Sequence, residues 1–229
     1  MEPAAEYIMS MNPARLALMA ILILASLPLA APAATIVQTL GIERYANGAI
    51  VPSGTFITDN GGEPAPFNAI SGGDATANMN VSFTFSYGAI ADPITAASIL
   101  ISLYEGESSA PGSQLALFRL NGSILLTALL DAQMEATPGV SSQINFYTVT
   151  LPSTAFASLA GGTATFDLQL QGPGLGVLGP TDFNGGGLDF ARLTLRTDPI
   201  TPEVPEPATA FLAGGALLAG AAFLRRRRA

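Results

Sequence analysis

Period-two alternation of apolar and polar residues is the feature that most restricts the folds open to this 229-residue chain. Across residues 79–87, Val81, Phe83, Phe85 and Tyr87 alternate with Ser82, Thr84 and Ser86. Successive side chains of a strand point to opposite faces, so this pattern predicts a strand with one buried side. Ile99, Ile101 and Leu103 repeat the period across 98–104. Further strands are expected at 115–120, 124–130, 144–150, 163–170 and 188–196, with shorter ones at 36–40 and 55–58. Within 188–196 the apolar phase shifts between Phe190 and Leu193, which predicts a β-bulge near Ala191 and Arg192. Turn chemistry separates the runs, at Asn47-Gly48, Asn60-Gly61-Gly62, Gly72-Gly73-Asp74, Asn121-Gly122, Gly161-Gly162 and Gly185-Gly186-Gly187. Asn121-Gly122, between two apolar runs, is the strongest hairpin signal. Residues 154–159 read as one helical turn, and no long amphipathic helix is expected. About eight or nine short strands predict an all-β fold, a single jelly-roll-like β-sandwich over residues 34–197.

Composition agrees, with 24 Gly, 17 Pro and only 11% charged residues. Lysine is absent, and between residues 34 and 204 four Arg (Arg44, Arg119, Arg192, Arg196) face fourteen Asp and Glu, a net charge of −10. Such a body repels phosphate backbones, which argues against a nucleic-acid partner, and attracts divalent cations. Cysteine is absent, so stability must come from core packing, with a metal ion as the remaining aid.

Both ends depart from this pattern. Residues 16–29 form an apolar run of 14 residues behind Arg15, the length of a signal-peptide core rather than of a membrane span. Ala31 and Ala33 supply the small residues at −3 and −1, so cleavage is expected after Ala33 and the signal peptide is 1–33. Glu2 and Glu6 are unusual in a region that is normally basic, and initiation at Met9 or Met11 would remove both. Residues 198–203 are a Pro-containing linker. Residues 208–224 are 17 apolar residues followed by Arg225, Arg226, Arg227 and Arg228. As a single transmembrane helix this segment spans about 25 Å, slightly under a hydrocarbon core of about 30 Å. The Arg cluster holds its own end in the cytoplasm and leaves the body outside. Ahead of the span stand Val204, Pro205, Glu206 and Pro207, where two prolines keep the peptide extended.

This arrangement of Pro-Glu-Pro, a short Ala/Gly-rich span and a terminal Arg cluster over 204–229 resembles the PEP-CTERM sorting signal, also described as an ice-binding-protein C-terminal domain. The resemblance implies processing by an exosortase in exopolysaccharide-producing Gram-negative bacteria, with Pro205, Glu206 and Pro207 as the processing motif. It further implies transient anchoring in the inner membrane before the body reaches the surface or matrix. The stretch 115–195 is similar to the sandwich domains that precede this tail, which resemble galactose-binding-like jelly rolls. Leu151-Pro152-Ser153-Thr154-Ala155 mimics a sortase signal but lies about fifty residues too far upstream.

Catalytic chemistry is narrowly bounded. Without His, Cys or Lys, the His-dependent triads, cysteine nucleophiles, His-based zinc sites and Schiff-base chemistry are excluded. Gly174, Gly176 and Gly179 match a dinucleotide fingerprint in spacing, but Pro180 and a Gly-rich loop follow instead of a helix. Paired carboxylates are the remaining catalytic option. Glu105, Glu107, Asp131 and Glu135 read as solvated charge in turns or at strand ends. Two Gly-rich loops carry oxygen ligands suited to Ca²⁺, one with Asp59 and Glu63, the other with Asp182, Asn184 and Asp189. No other cofactor is expected.

The sequence therefore leads to a non-enzymatic exported surface or matrix protein contacting exopolysaccharide. Two alternatives stand beside it: a carboxylate-dependent polysaccharide-modifying enzyme, and a self-assembling structural or adhesive subunit. Sugar sites commonly stack rings on aromatics; Trp is absent, and Tyr45, Tyr87, Tyr104 and Tyr147 read first as packing residues.

Overall fold

Alternation along the strands becomes the two sides of two sheets. The computed structural model describes residues 33–176 and 178–198. The expected cleavage residue Ala31, the sorting motif Val204, Pro205, Glu206 and Pro207, the span 208–224 and the cluster Arg225, Arg226, Arg227 and Arg228 lie outside the described residues. Among the described residues no helix is long and apolar enough to cross a membrane.

In the first sheet β11 (Gly186–Thr197) lies between β1 (Ala34–Gly41) and β4 (Ile94–Tyr104), with β7 (Ile144–Thr150) beyond β4. The short β2 (Ile70–Ser71) extends this sheet beside Gly186 and Gly187. The second sheet runs β3 (Asn80–Ser86), β8 (Thr163–Leu170), β5 (Leu115–Leu120), β6 (Ile124–Leu125). All pairs are antiparallel, and many are nested: β1 with β11, β3 with β8, β4 with β7, β5 with β6. A separate hairpin joins β9 (Gly174–Gly176) to β10 (Gly179–Thr181).

The alternate residues Val81, Phe83 and Phe85, Phe166, Leu168 and Leu170, Ile99, Ile101 and Leu103, and Leu193 and Leu195 form one buried cluster. Both sheets contribute to it, which makes the fold a β-sandwich. Ser82, Thr84 and Ser86 face solvent. Phe166 is the hub: its ring stacks on Phe83 at 5.7 Å and Phe118 at 5.5 Å, and meets Phe85 edge-on at 6.0 Å. Each fully buried Phe contributes about 1.5–3 kcal/mol of burial.

Three local expectations are corrected. The strand expected at 124–130 stops at Leu125, and α2 (Thr127–Ala136) follows. Leu126, Leu130 and Met134 recur every four residues and are buried in the main core, so helical spacing wins where a short apolar run leaves the period ambiguous. Thr127 Oγ1 clips the turn to β5, accepting the N–H of Phe118 at 3.0 Å and donating to its carbonyl at 3.2 Å. The strand expected at 55–58 is instead α1 (Ser53–Asn60). Its Phe56 stacks on Tyr104 at 4.2 Å and joins Val51 and Ile144 in a small second core on the outer face of the first sheet. The bulge in β11 falls between Leu188 and Phe190, leaving Asp189 out of register, rather than at Ala191 and Arg192.

The Asn121-Gly122 hairpin forms as expected between β5 and β6. The helical turn appears as a 3-10 segment (Ser153–Ala155) and α3 (Phe156–Leu159), whose Ala155 and Leu159 enter the main core. The sortase-like pentapeptide is thus an element of the body. Strand β4 ends where β3, β7 and β11 begin, so loops 72–78, 105–110, 139–143 and 171–185 gather at one end of the sandwich.

Candidate functional site

The five residues nominated for calcium separate into two places. Asp59 accepts the Tyr45 hydroxyl at 2.7 Å, and Glu63 pairs with Arg44 Nη2 at 2.7 Å. Arg44 also donates from Nε to Asn60 Oδ1 at 3.0 Å and from its backbone N–H to Asp189 Oδ2 at 3.3 Å. The bulge is what turns Asp189 toward Arg44, and Ser102 Oγ approaches the same oxygen at 3.5 Å. Asp189 is fully buried; desolvation pushes its carboxyl above the usual range, against the pull of the Arg44 and Tyr45 N–H groups and the guanidinium. Tyr45 is pushed up to about 12 by burial first and by Asp59 second. Asp59, Glu63 and Asp189 are therefore engaged with Arg44 and Tyr45.

Asp182 is exposed, whereas Asn184 is buried among different partners at the loop-bearing end. Its N–H donates to Asn78 Oδ1 at 2.9 Å and its Nδ2 to the Gly106 carbonyl at 3.0 Å. Asp74 Oδ1 accepts the next N–H, of Gly185, at 3.0 Å. These contacts seat the 183–185 loop between the loops that carry Asp74 and Glu107.

Glu107 departs most from expectation. Read from the sequence as solvated turn charge, it is fully buried. Its Oε2 accepts the backbone N–H of Leu175 on β9, while Oε1 has no hydrogen-bond partner among the described residues. Burial pushes its carboxyl up to about 7; the Leu175 N–H and the nearby Ser141 hydroxyl act the other way, and Asp74 and Glu105 add repulsion. Glu105 is half-buried, accepts Ser141 Oγ at 3.3 Å, and is also raised, by burial first and Asp74 second. Glu105 and Glu107 take left-handed φ values of 59° and 43°, uncommon for residues with a Cβ. Nothing in the local sequence marks this burial, because loops 72–78, 171–176 and 183–185 from distant parts of the chain produce it.

The other candidates are bland. Asp131 accepts Ser113 Oγ at 2.6 Å, and Glu135 is exposed on α2. Tyr104 and Tyr147 are core residues. Tyr87 is half-buried, donates to the Leu159 carbonyl at 2.8 Å and is pushed up to about 12 by burial. Gly174, Gly176 and Gly179 belong to the β9–β10 hairpin, which is followed by strand β11 rather than by a helix that could cradle a phosphate.

Among the described residues no three acidic side chains converge as a ready-made metal cluster. What the loop-bearing end offers is a carboxylate with no solvent exposure, a buried carboxamide and two flanking acids. A carboxyl so enclosed has no contact with solvent, and its burial disfavours the charged form. No protein-family model matches the chain, and no curated protein matches it significantly.

Proposed function

We propose that this chain is an exported, non-enzymatic surface or matrix protein, delivered by a PEP-CTERM-type tail and contacting exopolysaccharide through a jelly-roll body. The observation that carries the reading is the tail itself: Val204, Pro205, Glu206 and Pro207, then 17 apolar residues, then Arg225, Arg226, Arg227 and Arg228. Positive charge beyond a short span keeps that end inside, matching the orientation that residues 1–33 demand. Nested pairing of eight strands over two sheets supports the jelly-roll reading. The half-buried Tyr45 and Tyr87 are the body tyrosines with ring surface available to a sugar. An exosortase is the processing partner this reading requires.

The test is processing in an exopolysaccharide-producing Gram-negative host that carries an exosortase. The chain should yield a mature form lacking the tail, and alanine at Pro205, Glu206 and Pro207 should leave the precursor intact. A mature mass identical for both chains would overturn the sorting reading. Failure of the mature body to be retained on the host's native exopolysaccharide would overturn the matrix reading.

A further inference from the structure

Two polar side chains at the loop-bearing end, Glu107 and Asn184, are each fully buried with one oxygen that has no hydrogen-bond partner among the described residues: Glu107 Oε1 and Asn184 Oδ1. Buried oxygens of this kind are costly unless something meets them. The two are neighbours. Asn184 Nδ2 donates to the carbonyl of Gly106, the residue before Glu107, at 3.0 Å. That bond sets the carboxamide orientation and leaves its oxygen as the acceptor. The second Glu107 oxygen is held by the Leu175 N–H, so the carboxylate is positioned as well.

The surroundings are negative and rich in oxygen. Asp74 and Glu105 both repel charge on Glu107, and no Arg is among the groups acting on it. A Cβ at Gly174 would lie 2.6 Å from Glu107 Oε2, 2.6 Å from the Phe183 carbonyl and 2.9 Å from Thr181 Oγ1. A side chain at that position would crowd the carboxylate, and glycine leaves it room.

We propose that Glu107 and Asn184 are ligands of a calcium ion at this end of the sandwich, with Asp74 and Glu105 supplying charge around it. The site differs from the Arg44 group, where Asp59, Glu63 and Asp189 already meet a guanidinium and a phenol. Calcium is the cation this chemistry selects: a hard ion that accepts carboxylate, carboxamide and carbonyl oxygens in flexible geometry. Magnesium demands near-ideal octahedral geometry at shorter distances, to which oxygens brought together from separate loops are less suited. The ion would tie the loops carrying Glu107 and Asn184 together, and would require Glu107 to be ionised.

The experiment uses the full chain in detergent, stripped with chelator and titrated with CaCl₂ or MgCl₂ by calorimetry and thermal unfolding. Calcium should bind at one site and raise the midpoint by about 3–6 °C at a tenfold excess over Kd. Glu107→Gln should abolish the response and Asp59→Asn should retain it. Terbium gives a readout that does not need a Glu107 variant to fold. With tyrosine but no Trp in the chain, bound terbium should show tyrosine-sensitised emission that calcium competes away. No heat and no midpoint change at millimolar calcium would overturn the proposal. So would an equal response to magnesium, a response that survives Glu107→Gln, loss of the response in Asp59→Asn, or terbium emission that calcium does not compete.

Discussion

Replacing Glu107 with glutamine isolates the cost of ionising a carboxyl inside the sandwich. In the metal-free protein the Glu107 carboxyl is raised from 4.5 to about 7, chiefly by burial. Between those values the folded state binds more protons than the unfolded chain, so its stability falls as pH rises through that window. At about 1.4 kcal/mol per pH unit, the loss by pH 8 is about 3 kcal/mol relative to pH 4. Glutamine keeps the shape and can still accept the Leu175 N–H, but it places an amide where Oε1 stood. A buried amide without a partner costs about 1–3 kcal/mol at every pH. Glu107→Gln should therefore be less stable than the parent near pH 4 and equal or more stable at pH 8. Asp74 and Glu105 face the same position in both proteins, so the difference between variant and parent reports Glu107. Urea unfolding in chelator, at half-unit steps from pH 4 to 8, measures it. A difference that changes by less than about 1 kcal/mol across that range would refute the reasoning. With calcium present the proposed site reverses the comparison, and the parent should be the more stable protein at pH 8.

Other perturbations follow from packing and backbone geometry. Phe166→Ala removes the hub of the aromatic cluster and should cost about 3–5 kcal/mol in denaturant unfolding, while a loss under 1.5 kcal/mol would show the core collapsing around the gap. Gly41→Ala places a Cβ 2.4 Å from the Asp189 carbonyl at a φ of +71°, so thermal unfolding should show a loss above about 2 kcal/mol. Asp167→Asn breaks the 2.7 Å pair with Arg119 on the solvent side of the second sheet and should cost only about 0.2–1 kcal/mol near neutral pH. The Arg119 hydrogen bond lowers the Asp167 carboxyl, so that contribution is present above the unfolded value and fades as pH falls through the folded one; comparing melts at pH 7 and pH 3 checks it.

How legible each element was depended on how much its own residues decide. Strands β7 and β8 were expected at 144–150 and 163–170 and occur at those bounds, because strict alternation leaves one register that buries Tyr147, Val149, Phe166 and Leu168. The run from Ile124 was ambiguous because continuous apolar residues suit a buried strand and a helix equally, and packing of Leu130 and Met134 decided for the helix. Helix α1 is hidden in the sequence for a related reason: Thr55, Phe56 and Ile57 favour strands, but Phe56 is buried against Tyr104 by tertiary packing. For calcium, the Gly-rich loops drew attention to Asp59, Glu63 and Asp182, which stand beside ordinary turn residues. Of the five residues nominated from the sequence, which also include Asn184 and Asp189, only Asn184 belongs to the site now proposed.

By itself the sequence determined the all-β class, the acidic and cysteine-free character of the body, and the absence of His, Cys and Lys chemistry. It also carries the whole case for export, which rests on residues 1–33 and 204–229. These are properties of composition and short-range pattern, and no distant contact is needed to read them. Tertiary structure alone decided which acids are solvated and which are enclosed. Glu105 and Glu107 are two residues apart, yet one is half-buried and the other has no exposed surface. The difference comes from loops about thirty and seventy residues away in the chain, the first bringing Asp74, the second Leu175 and Asn184. A carboxyl's environment is set by what surrounds it in space, which local sequence does not encode.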